Sequence, residues 1–409
     1  MTDSDPLRPG RPARRAARVP GRSRRLPAGL LAAFTVLLLL STAAAAIVGL
    51  RRDGAGVPQW LDAGAAPSGG STAAPGASLN ASPGASAAAD KVISMSATGD
   101  IIMGDAPNRL PARGGRGFFD SVKPALAADL VMGNLEEPLT DDTGTGKCSA
   151  GSTACFQFRA PPSYAAHLRD AGFEVLNQAN NHGNDYGDQG YRNTQKALEA
   201  HGLEHTGAPD QITVVEVSGV RVAVVGFSSY PWSNDLTDIP AAKQVVARAA
   251  TRADLVVVQV HMGAEGSDKV HVRPGTELFY GENRGDPMRF SHAVIDAGAD
   301  LVVGHGPHVL RALEFYKGRL IAYSLGNFAG GGDTLNNSGP LGLGAVLKVS
   351  MSADGRWAGG RLISTYMDDV GKPTLDRRGR AVELVADLCR SDFPTTGAQL
   401  TAGGTISPP

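Results

Sequence analysis

Apolar runs of strand length recur along residues 92–366, alternate with helix-length stretches, and end in polar residues. Runs at 92–102, 129–133, 173–177, 255–261 and 300–304 read as buried strands. Stretches at 123–128, 164–171, 187–201, 241–253 and 287–297 read as helical. That alternation predicts a parallel sheet covered on both faces. Hairpins pair 213–217 with 220–228 about Ser218-Gly219, and 313–316 with 320–324 about Lys317-Gly318. A third pairs 343–351 with 360–366 about Asp354-Gly355. These add antiparallel strands, so the expected fold is α/β, two mixed sheets packed together with helices outside. A body of about 300 residues buries a sizeable core.

The strand ends carry the chemistry. Asp100 ends the first run, and Asn134 and Glu136 follow the second. Asn180, Asn181 and His182 follow the third, with Asp185 just beyond. His261 ends 256–260, His305 and His308 follow 301–304, and Asn327 ends 321–326. Ligand sites in open α/β sheets lie outside the carboxyl ends of strands. Carboxylates, amides and imidazoles together suit Mn, Fe, Zn, Mg or a related divalent ion. No thiolate joins the set, which excludes a structural cysteine-type zinc site. A lone His261 on an apolar strand packs in a core more often than it binds metal. The conjunction of six strand ends carries the reading, and Gly263, Gly304 and Gly306 are expected to leave room for a ligand.

The amino end is of another kind. Residues 1–27 form a basic tail with eight Arg, and 28–50 hold no charge. An apolar stretch of that length, about 20 residues or more, spans a bilayer as a helix. The excess of Arg on its N-terminal side places the tail in the cytoplasm and the body outside. We expect one N-terminal transmembrane helix, a signal anchor; the alternative is a signal peptide cut near 42–46, with secretion. Residues 51–90 follow as a disordered linker, since 25 of the 27 residues 63–89 are Ala, Gly, Ser, Pro or Thr. The body is expected over 91–390, and 391–409, again rich in Gly, Thr and Pro, as a disordered tail.

A net charge of -1 excludes a strongly basic nucleic-acid binder, so no nucleic-acid partner is expected. Of three cysteines, Cys148 and Cys155 flank a Gly/Ser/Thr-rich loop. Outside the cytoplasm they are expected to form a local disulfide, fixing the insertion that leads into 156–159. Cys389 is left free.

The ordered series Thr98-Gly99-Asp100, Asn134-Leu135-Glu136, Asn180-Asn181-His182 with Asp185-Tyr186-Gly187, His261-Met262-Gly263, Gly304-His305-Gly306-Pro307-His308 and Gly326-Asn327-Phe328 resembles the CapA family. These are poly-γ-glutamate capsule biosynthesis proteins, a branch of the calcineurin-like metallophosphoesterase superfamily. The resemblance spans about residues 93–335. It implies a four-layer α/β/β/α sandwich and display at the bacterial cell surface. It also implies a divalent-metal site of one or two ions. Asp100, Glu136, Asn181, His261, His305 and His308 would be ligands, and His182, oriented by Asp185, the catalytic acid. Asn134, Asn180 and Asn327 would support ligands or substrate. The chain departs from the superfamily at Ile102, where a His is usual, and at Asn134, where an Asp is usual. Two residues, not one, separate His305 from His308.

Two functions follow. In the first, a metal-dependent hydrolase or transferase acts on an anionic capsule polymer, poly-γ-glutamate, during synthesis or export. In the second, the domain is a non-catalytic accessory subunit of a membrane polymer synthase and holds polymer in a degenerate metal cleft. The expected partners are the polymer, the membrane and other synthase subunits.

Overall fold

The computed structural model describes residues 91–149, 152 and 155–409. The basic tail, the apolar stretch 28–50 and the linker 51–90 lie outside the described residues. Among the described residues no helix is long and apolar enough to cross a membrane.

The chain runs through β1 (Val92–Ile102), α1 (Lys123–Leu126), β2 (Leu130–Leu135), α2 (Ala165–Ala171), β3 (Val175–Asn177), α3 (Gly187–Glu199) and β4 (Glu204–Thr206). It continues with β5 (Thr213–Val217), β6 (Val220–Ser228), β7 (Asn234–Asp235), α4 (Ile239–Ala250) and β8 (Leu255–His261). A small hairpin of β9 (Leu278–Phe279) and β10 (Glu282–Asn283) precedes α5 (Pro287–Asp296), β11 (Leu301–His305), β12 (Leu313–Tyr316) and β13 (Arg319–Ala322). The last part is β14 (Asn327–Gly330), β15 (Leu343–Ser352), β16 (Trp357–Met367), β17 (Pro373–Leu375), α6 (Arg380–Asp392), β18 (Gln399–Leu400) and β19 (Thr405–Ser407).

These strands form two mixed sheets. The first runs β18-β19-β16-β15-β1-β2-β3-β4, with β14 beside β1 and β17 beside β16. The second runs β12-β13-β11-β8-β6-β5, with β7 beside β6. Each combines a parallel run with antiparallel strands: β1, β2, β3 and β4 are parallel and reach one edge of the first sheet, and β6, β8, β11 and β13 form a parallel centre in the second. Buried strands of this kind need apolar residues at successive positions, and β8 is buried from Leu255 to His261.

One apolar cluster joins the sheets. It contains Ile93, Met95 and Met132 of the first and Val222, Val257 and Val302 of the second. A second cluster sets Leu168 of α2 and Leu198 of α3 against Ile101, Val131 and Leu176. Helices α4 and α5 begin where the sequence stops them sliding. Asp238 and Asp286 accept from the Ala241 and Arg289 N–H groups, and Pro240 and Pro287 sit in the first turns.

The carboxyl-terminal segment departs from expectation. Residues 391–409 are not a disordered tail: α6 reaches Asp392, and β18 and β19 extend the first sheet along β16. Phe315 donates its N–H to Thr396 O, and Ala398 donates to Leu313 O. Ala398 and Ile406 are buried. A Gly/Thr/Pro-rich stretch orders here because an open sheet edge offers its backbone partners and a few apolar side chains find slots. Composition alone does not reveal that edge. Asn327 departs too, since it opens β14, parallel to β1, rather than ending the preceding strand.

Candidate metal centre

The sheets place their polar strand ends side by side. In the first, Asp100 lies in register with Asn134 on one side and Asn327 on the other, and Asn134 with Asn177. In the second, His261 pairs in register with His305. Asp100, Glu136, His261 and His305 are fully buried, and Asn181, His182 and His308 nearly so. Asp100, Glu136 and His261 each offer a ligand atom within 4.8 Å of the others.

His308 joins the two halves. Its Nδ1 lies 3.1 Å from Asp100 Oδ2 and 2.9 Å from Asn327 Oδ1. Its Nε2 lies 3.6 Å from Glu136 Oε1 and 3.6 Å from Glu265 Oε2. His308 takes a left-handed backbone, φ 59°, unusual for a side chain of this size. Such strain persists only where surroundings hold it. His261 Nε2 stands 3.7 Å from Glu136 Oε1, and His305 Nδ1 stands 3.9 Å from Asp100 Oδ1. The other nitrogen of His305 is 3.2 Å from Gln259 Oε1, so Gln259 turns Nδ1 toward Asp100.

The asparagines divide into supports and one open group. Asn134 donates to Asp100 Oδ1 at 2.8 Å, and its own oxygen accepts from Asn177 and Asn180. Its amide is therefore occupied at both ends and orients Asp100. Asn180 also donates to Leu135 O and accepts the His182 N–H. Asn181 differs: its nitrogen donates to Glu265 at 3.4 Å, while its oxygen is buried without a partner. His182 Nδ1 pairs with Asp185 Oδ2 at 2.7 Å, and the ring lies against Phe158.

Seven buried atoms of the expected ligand residues lack any hydrogen bond: Asp100 Oδ2, both Glu136 oxygens, Asn181 Oδ1, both His261 nitrogens and His305 Nδ1; Asp185 Oδ1, Gln259 Nε2 and Arg284 Nε and Nη2 lack one too. Asp100 Oδ2 has His308 nearby but not aligned to donate. An unsatisfied buried polar atom costs about 1–3 kcal/mol, so gathering this many needs a shared partner. A divalent cation fits the expected ligand residues, whose orphans are oxygens and imidazole nitrogens, each ring offering one nitrogen to an ion.

Charge is arranged accordingly. Burial raises Asp100, but the close approach and charge of His308, with the charge of His305 and the Asn134 hydrogen bond, outweigh it and hold its carboxyl below the usual range. Burial and the charge of Asp100 push Glu136 well above that range. Burial drives His261 well down and His305 down to about 4, leaving both neutral and able to ligate. For His308, burial is overcome by Glu136, Asp100 and Glu265, which raise it well above the ordinary value. Burial lowers His182, against the pull of Asp185.

The glycines act otherwise than expected. A side chain at Gly304 would lie 2.2 Å from Tyr323 O, and one at Gly306 2.9 Å from Met262 O. One at Gly263 would meet Arg311 Nη1 at 2.8 Å. They make room for protein atoms, not for a ligand.

Sequence reasoning missed Glu265, Arg284, Gln259, Asn177 and Lys147. Glu265 follows His261 by four residues, the same strand-end signal that marked Glu136. It accepts from Arg284 Nη1 at 2.7 Å. Arg284 comes from the loop after β10, is fully buried and packs over Tyr230 and Phe279. Nothing in its local sequence marks it.

A family model described as bacterial capsule synthesis protein PGA_cap matches residues 94–331, a span that holds all of these groups. PGA biosynthesis protein CapA of Bacillus subtilis is 33% identical over 260 residues, 59% of this chain and 64% of that protein. A Mycobacterium tuberculosis protein named "Probable polyglutamine synthesis accessory protein" is 31% identical over 217 residues, 49% of this chain and 55% of that protein. The chain thus spans less than two thirds of the length of either relative. Among solved structures, a 5′-nucleotidase precursor from Thermus thermophilus aligns over 75% of this chain and 60% of that one, at 14% identity and a TM-score of 0.39.

Proposed function

We propose the following function for a chain that belongs to the bacterial capsule synthesis protein family PGA_cap: it serves synthesis or export of an anionic capsule polymer, poly-γ-glutamate, as a metal-dependent hydrolase or transferase. The observation that carries the reading is the convergence of buried ligand atoms of Asp100, Glu136 and His261, within 4.8 Å of one another and lacking hydrogen bonds. Asp100, Glu136, Asn181, His261, His305 and His308 would hold the ion. When bound, a divalent cation polarises a phosphoryl or acyl oxygen and lowers the pKa of water.

The chain's own groups do the rest. Asn134 and Gln259 hold Asp100 and His305 in orientation. Asp185 takes the Nδ1–H of His182, so the proton transferred to or from a reacting group is handled at Nε2. Arg284, beside Glu265, offsets part of the negative charge of the carboxylates.

Elemental analysis of the full-length chain, purified without chelator, tests this. About one or two divalent ions per chain are expected; a folded chain holding none rejects the metal-dependent reading. The second reading is an accessory subunit that holds polymer without chemistry. It is favoured by the name of the mycobacterial relative, and polymer binding without turnover would select it.

We place the body outside the cytoplasm, on the strength of the Arg-rich head and the uncharged stretch 28–50. The protein is expected to stay with membranes through a high-salt wash, and protease added to spheroplasts is expected to cut the body. Full-length protein recovered from the cytosol would reject the placement.

A further inference from the structure

The loop closed by Cys148–Cys155 reaches the His182–Asp185 pair from both of its ends. The two cysteines are bonded, with Cα atoms 5.6 Å apart. At the first end, Lys147 donates its N–H to Asp185 O at 2.8 Å. Its ammonium lies 3.2 Å from Asp185 Oδ1 and 3.1 Å from Asn181 O. At the second end, the Phe158 N–H donates to Asp185 Oδ2 at 2.8 Å, the oxygen that also holds His182 Nδ1. The Phe158 ring lies 4.7 Å from the His182 ring. Gln157 ties the ends together: its oxygen accepts the Cys148 N–H, and its nitrogen donates to Tyr186 Oη. Asp185 is completely buried, whereas the Lys147 side chain is 37% exposed.

We propose that the Cys148–Cys155 loop is a clamp on Asp185, with Lys147 and the Phe158 N–H as its jaws, and that Lys147 is a positioning residue for His182. The inference rests on the reading of His182 as the proton-handling group and adds how that group is held. Asp185 can fix one tautomer of His182 only if its own oxygens are fixed. Oδ1 is held by the charge of the ammonium at 3.2 Å, with no hydrogen bond, and Oδ2 is shared between a backbone N–H and the imidazole. Lys147 comes from a Gly/Ser/Thr-rich segment with little apolar surface to anchor it, whereas Phe158 is itself buried. The disulfide is the covalent link that keeps them at one spacing. Losing either jaw lets the carboxylate swing and the imidazole sample its other tautomer. Orienting partners of this kind are worth roughly 10–100-fold in activity.

The test uses the full chain in three forms beside wild type: Lys147→Ala, Lys147→Arg, and Cys148→Ser with Cys155→Ser. Nitrogen-15 imidazole NMR, with the His182 signal assigned by its loss in His182→Ala, reads the tautomer directly. Wild type and Lys147→Arg are expected to show one Nδ1-protonated form. Lys147→Ala and the double serine variant are expected to show a tautomer average. On whichever substrate wild type turns over, those two variants are expected to lose about 10–100-fold in kcat, with KM and bound metal little changed. Lys147→Arg is expected to recover most of the loss. A single unchanged tautomer in Lys147→Ala overturns the clamp, even where activity falls. If wild type turns over nothing, the hydrolase reading fails while the NMR comparison still decides the clamp. If the double variant does not fold, Lys147→Ala alone decides it.

Discussion

His182→Ala is expected to keep its metal and lose turnover by about 10²–10⁴-fold, the usual worth of a positioned general acid or base. The separation follows from the geometry. His182 bonds to Asp185 and lies tilted against Phe158, and none of these contacts reaches Asp100, Glu136 or His305. Removing it leaves the seven orphaned donors in place. The ring is buried, so its loss also opens a small cavity beside Phe158 and lowers stability modestly. Asp185 keeps Lys147 and the Phe158 N–H and is not left uncompensated. Metal content, melting temperature and kcat measured on the same preparation check this. Full turnover in His182→Ala would remove the residue from the reaction. Loss of metal together with turnover would make it part of the ion's support instead.

The legible part of this protein is the part written in local pattern. Strands 92–102, 213–217, 220–228 and 255–261 stand where alternation and apolar run length put them. Asp100, His261 and His305 stand at or near the ends of their strands, where a strand's last side chain has a direction fixed by the sheet. What was not legible depends on partners far away in sequence. Arg284 reaches Glu265 only because the β9–β10 hairpin folds over, and no spacing within that hairpin announces it. Asn327 was expected at a strand's end and begins one, since β14 exists only by lying beside β1. Residues 399–407 look like a tail in composition and become strands because β16 leaves an edge open. Lys147 was not legible either. Its partners, Asp185 and Asn181, lie far along the chain, and nothing beside it but the cysteine marks it.

The two central carboxylates are expected to answer neutralisation in opposite ways, and that contrast tests the metal centre most severely. Glu136→Gln and Asp100→Asn each remove a ligand oxygen's charge, and each is expected to lower metal affinity by at least about 10–100-fold, the loss seen for groups one shell further out. Their effects on the metal-free protein differ. Burial and Asp100 raise Glu136 well above the ordinary carboxyl range, so its charged form is disfavoured and a neutral amide of the same shape costs less there than at Asp100. Asp100 is ionised against His308, and its neutral replacement leaves that imidazolium without its nearest counter-charge. Breaking a buried pair from one side costs about 3–5 kcal/mol. Asp100→Asn is therefore expected to melt well below wild type without metal, and Glu136→Gln close to it.

The pH profile follows with a definite sign. His308, raised in the folded chain, contributes stability that is complete below about 6.5 and is lost as pH rises through its folded value. Glu136, also raised, adds a loss that starts at the ordinary carboxyl range and runs up to its own folded value. His261 and His305 are lowered and oppose this only below about 6.5, where the unfolded chain takes up their protons. Above that point the metal-free protein should lose stability as pH rises. Saturating divalent ion should flatten the slope, because bound metal requires the deprotonated ligands that high pH favours. Calorimetry across pH 6.5–9, with and without added Mn or Zn, reads both effects. A metal-free protein that gains stability over that range, or Glu136→Gln and Asp100→Asn melting alike with metal content untouched, would mean these carboxylates do not form a metal site.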